Sequence, residues 1–341
     1  MLEEKVLETI SKYNLVESGD KIVLGVSGGP DSISMLNLFH KFINDGTLNC
    51  GICVAHINHG LRENANGDEL YVKNYCEERN IPFYVLHANV GELSKEQKRG
   101  LEETGRMVRY QFFEKVMKET ESNKIAIAHN NNDKVETIIM NALRGSGLAG
   151  LKGIEPKMKH YIRPLIECTR DEIENYCGIN SLNPRHDETN DENEYTRNKI
   201  RNIVIPYIKE EFNPNIINTF NRLSEIVKED IDFVNLITKN TYEKVVLEEN
   251  NLPESNEYNE EKPSEITLNL KEFNKEEQLI QKRLILYSIE KIFGDTHEIE
   301  KVNIDDIIKL CNRGIGNKFL MPNKKTKIVI KNKNIVIMSV I

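Results

Sequence analysis

The densest chemistry in this chain lies at Ser27-Gly28-Gly29-Pro30-Asp31-Ser32, directly after the apolar run Lys21–Val26. Two glycines allow a tight turn with exposed N–H groups, Pro30 suits the first position of a helix, and Ser27 and Ser32 add hydroxyl donors. A strand, such a loop and a helix N-terminus, in that order, make a cradle for phosphate oxygens. The loop lacks the lysine of a Walker A sequence and the spacing of GxGxxG, so a P-loop kinase and a dinucleotide dehydrogenase both fit poorly. Asp31 is the carboxylate nearest the cradle. Magnesium takes one or two carboxylates plus phosphate oxygens, which makes Asp31 the candidate metal ligand.

Three further clusters carry reactive types. His56-Ile-Asn-His-Gly-Leu-Arg62 follows a second apolar run, where an open α/β sheet presents ligands at its carboxyl end. His56 and His59 alone suggest zinc, but no third ligand has suitable spacing. Glu103-Thr-Gly-Arg106 with Arg109-Tyr110 reads as helix, so Arg106 and Arg109 share a face and could meet one anion; a solvated charged face explains the spacing equally well. After Ala128-His129 and three asparagines, Asp133 and Glu136 fall together on one face of a helix whose other face is Val135, Ile138, Ile139 and Ala142. Two carboxylates there could hold Mg²⁺, a substrate ammonium or a proton in transit. Favourable placement of acids at a helix N-terminus is the functionless alternative.

These residues need elements to hold them. Strand candidates at Lys21–Val26, Gly51–Ile57, Phe83–His87 and Lys124–His129 alternate with helical patterns near 65–79, 100–121 and 132–143. That alternation predicts the doubly wound α/β class with a mainly parallel sheet covered on both faces. After Asn213-Pro214 the pattern changes to long helices, about 215–248, 275–293 and 303–312, and the chain closes with a hairpin of Lys325–Ile330 and Asn334–Val340. The expected domains are therefore 1–213 and a smaller helical domain, 214–341, ending in basic strands.

With 341 residues, 39% hydrophobic and 29% charged, the chain is neither fibrous nor disordered, and its length favours two domains. No run is apolar enough for a membrane span, and six scattered cysteines fit reduced thiols, so the cytosol is the expected compartment. The net charge of -8 argues against non-specific nucleic-acid binding, but charge is unevenly spread. Residues 243–265 hold eight Glu against two Lys and read as a solvated loop, whereas residues 313–341 hold Arg313 and six Lys with no acid. Arg197, Lys199, Arg201 and Lys209 likewise lie in a stretch without carboxylates.

The SGGxDS loop resembles that of the N-type ATP pyrophosphatases, which grip the pyrophosphate of ATP while AMP is transferred. Within that superfamily HINHGLR, ETGRMVRY, AHNNNDKVET and RGSGLAGL occur in the order and spacing of the tRNA(Ile)-lysidine synthetase family. Arg163-Pro-Leu165, Arg170-Asp-Glu-Ile173, Asp187-Glu-Thr-Asn190 and Tyr195-Thr-Arg-Asn198 extend the match to about residue 206. The resemblance implies a Rossmann-like PP-loop domain and a ligase that joins L-lysine to C2 of the wobble cytidine of tRNA(Ile) with a CAU anticodon. The cytidine is adenylated by ATP with Mg²⁺, pyrophosphate leaves, and the lysine ε-amine displaces AMP.

It further implies roles for individual positions. Ser27, Gly28, Gly29, Pro30, Asp31, Ser32, His56 and His129 would bind the nucleotide. Asp31, Arg106, Asp133 and Glu136 would act in catalysis. Asn58, His59, Arg62, Arg109, Arg144, Arg197 and Arg201, with Lys324, Lys325 and Lys327 of the basic strands, would bind substrate or tRNA. A homodimer is left open. The chain departs from the family at Asn130, Asn132 and Lys134, where His, Asp and Gln are common, and it ends at Ile341 without the additional C-terminal domain of many members. A tRNA thiolase of the same superfamily is the alternative that Cys50-Gly-Ile-Cys53 raises, although a strand would send those two thiols to opposite faces. A non-catalytic ATP- and RNA-binding relative is the third reading.

Overall fold

Ile22, Val23 and Leu24 are wholly buried, and successive side chains of a strand point to opposite faces, so β1 (Lys21–Gly25) must be covered on both sides. α1 (Leu2–Lys12), α2 (Pro30–Asn44), β2 (Gly51–Asn58), α3 (Ala65–Glu77), β3 (Phe83–His87), α4 (Val90–Gln97), α5 (Leu101–Glu119), β4 (Lys124–Ile127) and α6 (Asn131–Leu143) supply the layers. Ile22 and Leu24 pack with Val6 of α1, Leu36 and Phe39 of α2 and Val72 of α3, while Val23 meets Phe112, Phe113 and Val116 of α5 on the other face. Each such buried side chain contributes about 1.5–3 kcal/mol. A Cβ on Gly25 would stand 2.6 Å from the Phe113 ring, so glycine is what lets α5 lie this close to the sheet. The description covers residues 1–58, 60, 65–185, 195–251, 263–296, 299–313 and 318–340 of this computed structural model.

After α7 (Gly147–Leu151), β5 (Lys157–Met158), β6 (Tyr161–Ile162) and α8 (Arg170–Ile179), the sheet order is β3-β2-β1-β4-β6-β5. All pairs are parallel except β5 with β6. The chain runs outward from β1 through β2 to β3 and then returns to β4 on the other side of β1. That reversal is a topological switch point, where the carboxyl ends of neighbouring strands open a crevice. The register Gly25↔Ile127 places the Ser27–Ser32 loop and the start of α6 on either side of it.

α9 (Thr196–Lys199), a π-turn at Ile200–Val204, α10 (Ile205–Glu211) and the long α11 (Ile216–Val245) follow. Two compact units part inside α11, as Met1–Val227 and Lys228–Ile341, whereas the composition change pointed to 213. Ile216, Ile217 and Phe220 pack against Val135, Ile139, Ile200 and Ile205, which ties the first turns of α11 to the first unit.

In the second unit β7 (Val246–Asn251), β8 (Pro263–Asn269), α12 (Leu270–Phe273), α13 (Gln278–Phe293), α14 (Lys301–Arg313), β9 (Phe319–Leu320), β10 (Thr326–Lys331) and β11 (Asn334–Ser339) build an antiparallel sheet, β7-β8-β11-β10-β9, with helices. The acidic segment expected to be a loop therefore contains β7 and the first residues of β8. Ile266 and Leu268 of β8 are wholly buried, and Glu249 of β7 is held by the Tyr242 hydroxyl and Lys291, so its charge is matched rather than merely solvated. The basic hairpin is present, turning at Asn332 and Lys333, both with positive φ. It is not a sheet edge, because β11 also pairs with β8 and β10 with β9.

Candidate active site at the switch point

Gly28 has φ +96, a conformation only glycine adopts readily, and Gly29 caps α2 with Pro30 in its first turn. The buried Ser32 hydroxyl accepts from the N–H groups of Ser27 and Gly28 at 3.1 and 3.2 Å and donates to Gly29 O at 3.0 Å. Two of the donors assigned to phosphate from the sequence thus close the loop on itself, and Ser32 is a brace. The N–H groups of Gly29, Asp31 and Ser32 make no hydrogen bond among the described residues and remain as the helix N-terminal donors. Arg185 N donates to Gly28 O at 2.9 Å, its guanidinium lies over the Tyr71 ring, and the Tyr71 hydroxyl donates to Leu182 O, so residues 182–185 strap the loop.

On the opposite wall Asn130 caps α6: its Oδ1 accepts from Asp133 N and Asp133 Oδ2 accepts from Asn130 N, both at 3.0 Å. The same side chain's Nδ2 donates to Asp31 Oδ1 at 2.8 Å and so joins the two walls. Burial, then the nearby Asp133 charge, pushes the Asp31 carboxyl up to about 6, against the opposing effects of Asn130, Arg170 and Arg201. Asn132, one of the departures noted from the sequence, accepts the Arg170 N–H at 3.1 Å at the start of α8.

Asp133 and Glu136 do share a face, but they are not open to solvent. Arg197 donates to Glu136 Oε2 at 2.9 Å and to Asp133 Oδ1 at 3.0 Å. Arg201 reaches both Glu136 oxygens at 2.6 and 2.8 Å and Asp133 Oδ1 at 3.2 Å. The Glu136 side chain is 1% exposed. Arg197 and Arg201, expected from their acid-free surroundings to face tRNA, instead neutralise the two carboxylates. These carboxylates in turn hold both guanidinium pKa values above the usual range against the pull of burial.

His129 sits at the end of β4 with Nδ1 3.2 Å from Arg163 Nε. Arg163 is buried and donates through Nη1 to Glu155 O at 2.7 Å, and the nearby Tyr110 hydroxyl accepts from Arg106 at 3.0 Å. Neither Asn130 nor Arg163 was among the site residues read from the sequence. Arg163-Pro-Leu165 was the only signal for Arg163, and Asn130 drew notice only as a departure. His56, assigned to nucleotide, is buried with Nδ1 donating to Val26 O at 2.8 Å, and so ties β2 to the end of β1. Asn58 is buried and donates to Asn66 and Glu69. Arg106, Arg109 and Arg144 are exposed, whereas His59, Arg62 and the 187–190 motif lie outside the described residues. Lys324 and Lys325 are exposed in the second unit, and Lys327 lies over the Phe319 ring at 4.8 Å.

A PP-loop domain model matches residues 2–208. A tRNA(Ile)-lysidine synthase of Clostridioides difficile is 39% identical over 345 residues, covering 98% of this chain and 72% of that protein. The chain belongs to the tRNA(Ile)-lysidine synthase family. A second family member, from Clostridium acetobutylicum, is 40% identical over 93% of the chain, which spans 66% of that relative's length. Among solved structures, a U34-tRNA thiolase from Methanococcus maripaludis superposes with a TM-score of 0.55 at 20% identity, covering 67% of this chain and 78% of its own; this likeness is one of fold. In this lysidine synthase family member Cys50 packs with the α1–α2 face of the sheet and Cys53 with the α5 face, and burial raises both thiol pKa values, that of Cys50 to about 11. The two sulfurs form no CxxC centre. No described helix is long and apolar enough to cross a membrane.

Proposed function

We propose that this chain performs the reaction for which its relatives are named: ATP-dependent attachment of L-lysine to C2 of the wobble cytidine of a CAU-anticodon tRNA(Ile), through an adenylated cytidine, with AMP and pyrophosphate released. The observation that carries this reading is the bridge from Asp31 through Asn130 to Asp133, which joins a phosphate-type helix N-terminus to a carboxylate–guanidinium cluster across one crevice. The N–H groups of Gly29, Asp31 and Ser32 would hold the departing pyrophosphate, and exposed Arg106 would meet charge growing on the α-phosphate. Asp31 has one oxygen on Asn130 and the other facing no described partner, a donor set that suits Mg²⁺ beside phosphates. Bound Mg²⁺ would neutralise charge on the triphosphate.

The cluster of Asp133, Glu136, Arg197 and Arg201 is charge-balanced. Binding a lysine ammonium at these carboxylates therefore requires a guanidinium to give way, and tRNA phosphates are the acceptors that arginine prefers next. Both carboxylates have both oxygens held, and Glu136, the more deeply buried with each oxygen on a guanidinium, is the anchor of the cluster. Asp133, the more exposed of the two carboxylates, is the base that would take the lysine proton.

The decisive test is pyrophosphate release from ATP with a CAU-anticodon tRNA(Ile) transcript, with and without L-lysine, followed by mass analysis of the tRNA. Lysine-dependent gain of a lysyl group less water is expected. Adenylation with no lysine transfer would overturn the proposed acceptor, and absence of release would favour a non-catalytic relative.

A further inference from the structure

A guanidinium has donors only and no lone pair to offer. With Arg163 Nε 3.2 Å from His129 Nδ1, that ring nitrogen must be the acceptor, and the imidazole must be neutral with its proton on Nε2. The contact is held from several sides. Arg163 is 3% exposed, its Nη1 is fixed by Glu155 O at 2.7 Å, and its backbone N–H by Pro156 O at 2.9 Å.

The surroundings point the same way. Burial first, and then the charges of Arg163, Arg197, Arg106 and Arg109, drive the His129 pKa well below the ordinary value. Among the described residues no carboxylate forms an ion pair with Arg163, and a buried charge matched only by neutral acceptors is costly until an anion arrives. His129 Nε2 makes no hydrogen bond with the described residues, and its neighbour Asn130 is the residue that holds Asp31.

We propose that Arg163 locks His129 as the neutral Nε2–H tautomer, and that this N–H, with Arg106 beside it, donates to a phosphate oxygen of the nucleotide. Arg163 is thus a positioning residue, and His129 is a fixed donor, not a proton carrier. The phosphate part rests on the ATP reading above; the tautomer does not.

Two measurements test it on the full chain. Histidine ¹⁵N spectra, assigned with His129→Gln, should give the Nε2–H pattern for His129, unchanged through the neutral pH range. Arg163→Met should mix the tautomers and let the ring titrate nearer its ordinary value, while Arg163→Lys, a check on folding, should preserve the pattern. An Nδ1–H pattern, or wild-type titration in the neutral range, would overturn the lock. Binding of a non-hydrolysable α,β-methylene ATP analogue should weaken about tenfold or more in His129→Phe, which keeps the ring but loses the donor, and recover largely in His129→Gln. Equal affinity of wild type and His129→Phe would remove the donor role. Failure of the wild type to bind the analogue would instead sink the ATP reading and, with it, the phosphate part, leaving the tautomer to be judged by the spectra alone.

Discussion

Asp31 is half-buried beside Asp133, with one neutral donor, Asn130, on its near oxygen. An acid whose pKa rises from 3.8 to about 6 on folding destabilises the folded state above that range, and the cost disappears as pH falls below 3.8. Asp31→Asn keeps an oxygen to accept from Asn130 and removes the charge. In metal-free buffer at pH 7.5 the variant should gain roughly 2–3 kcal/mol, a rise of several degrees in Tm, and the gain should fade by about pH 4. Thermal melts across that pH range would decide it; a Tm that falls at pH 7.5 would mean that the ionised carboxylate is already compensated. Asn130 makes a second residue-scale case because it has two jobs. Asn130→Ser keeps the cap on α6 but is too short to reach Asp31, so Tm should change by only a few degrees while the rate of pyrophosphate release drops about tenfold with little change in the KM for lysine. A loss of Tm that accounts for the lost rate would reduce Asn130 to a helix cap.

At the scale of elements, the mating of α6 with the α9–π-turn segment decides what the site residues can reach. Helical spacing in the sequence was enough to pair Asp133 with Glu136, and Arg197 and Arg201 are likewise four apart. What spacing could not reveal is that each pair is the other's partner, because the contacts span 61 to 68 residues and cross a segment with no periodic signal. The strands around the crevice were legible for a different reason. β-Branched runs bounded by Gly and Asp leave few alternatives, whereas β7 lies in a Glu-rich stretch, Val-Leu-Glu-Glu-Asn-Asn, whose composition is that of a solvated loop. Removing one cation from the cluster leaves a buried carboxylate unmatched. Arg201→Ala should therefore cost about 3–5 kcal/mol, and adding Glu136→Gln should return a large part of it. Chemical denaturation of the two single variants and the double variant measures the coupling; additive losses would mean that Glu136 finds another partner when Arg201 leaves.

At the scale of the whole molecule, the proposed function asks an acidic protein of net charge -8 to hold a polyanion, which it can do only by concentrating its cations. Residues 313–341 carry seven positive charges and no acid, and the hairpin that bears Lys324, Lys325 and Lys327 lies inside the sheet of the second unit, so these lysines are not there to protect a strand edge. Phosphate contact is the reading that the exposure of Lys324 and Lys325 supports. Lys324 and Lys325 have no ion pair among the described residues, and Lys327 is held over Phe319, which fixes its ammonium instead of leaving it to wander. Each phosphate neutralised adds about 0.7–0.9 to the slope of log affinity against log salt. The triple variant Lys324→Gln, Lys325→Gln, Lys327→Gln should therefore flatten the slope for tRNA by about 2–3 if all three make contact, and weaken binding most at low salt. Pyrophosphate release at saturating tRNA should be little changed, because no part of the phosphate cradle or the carboxylate cluster is altered. A slope equal to that of the wild type would assign the positive charge of this hairpin to solubility and move tRNA binding to the first unit, where exposed Arg106, Arg109 and Arg144 would have to supply it.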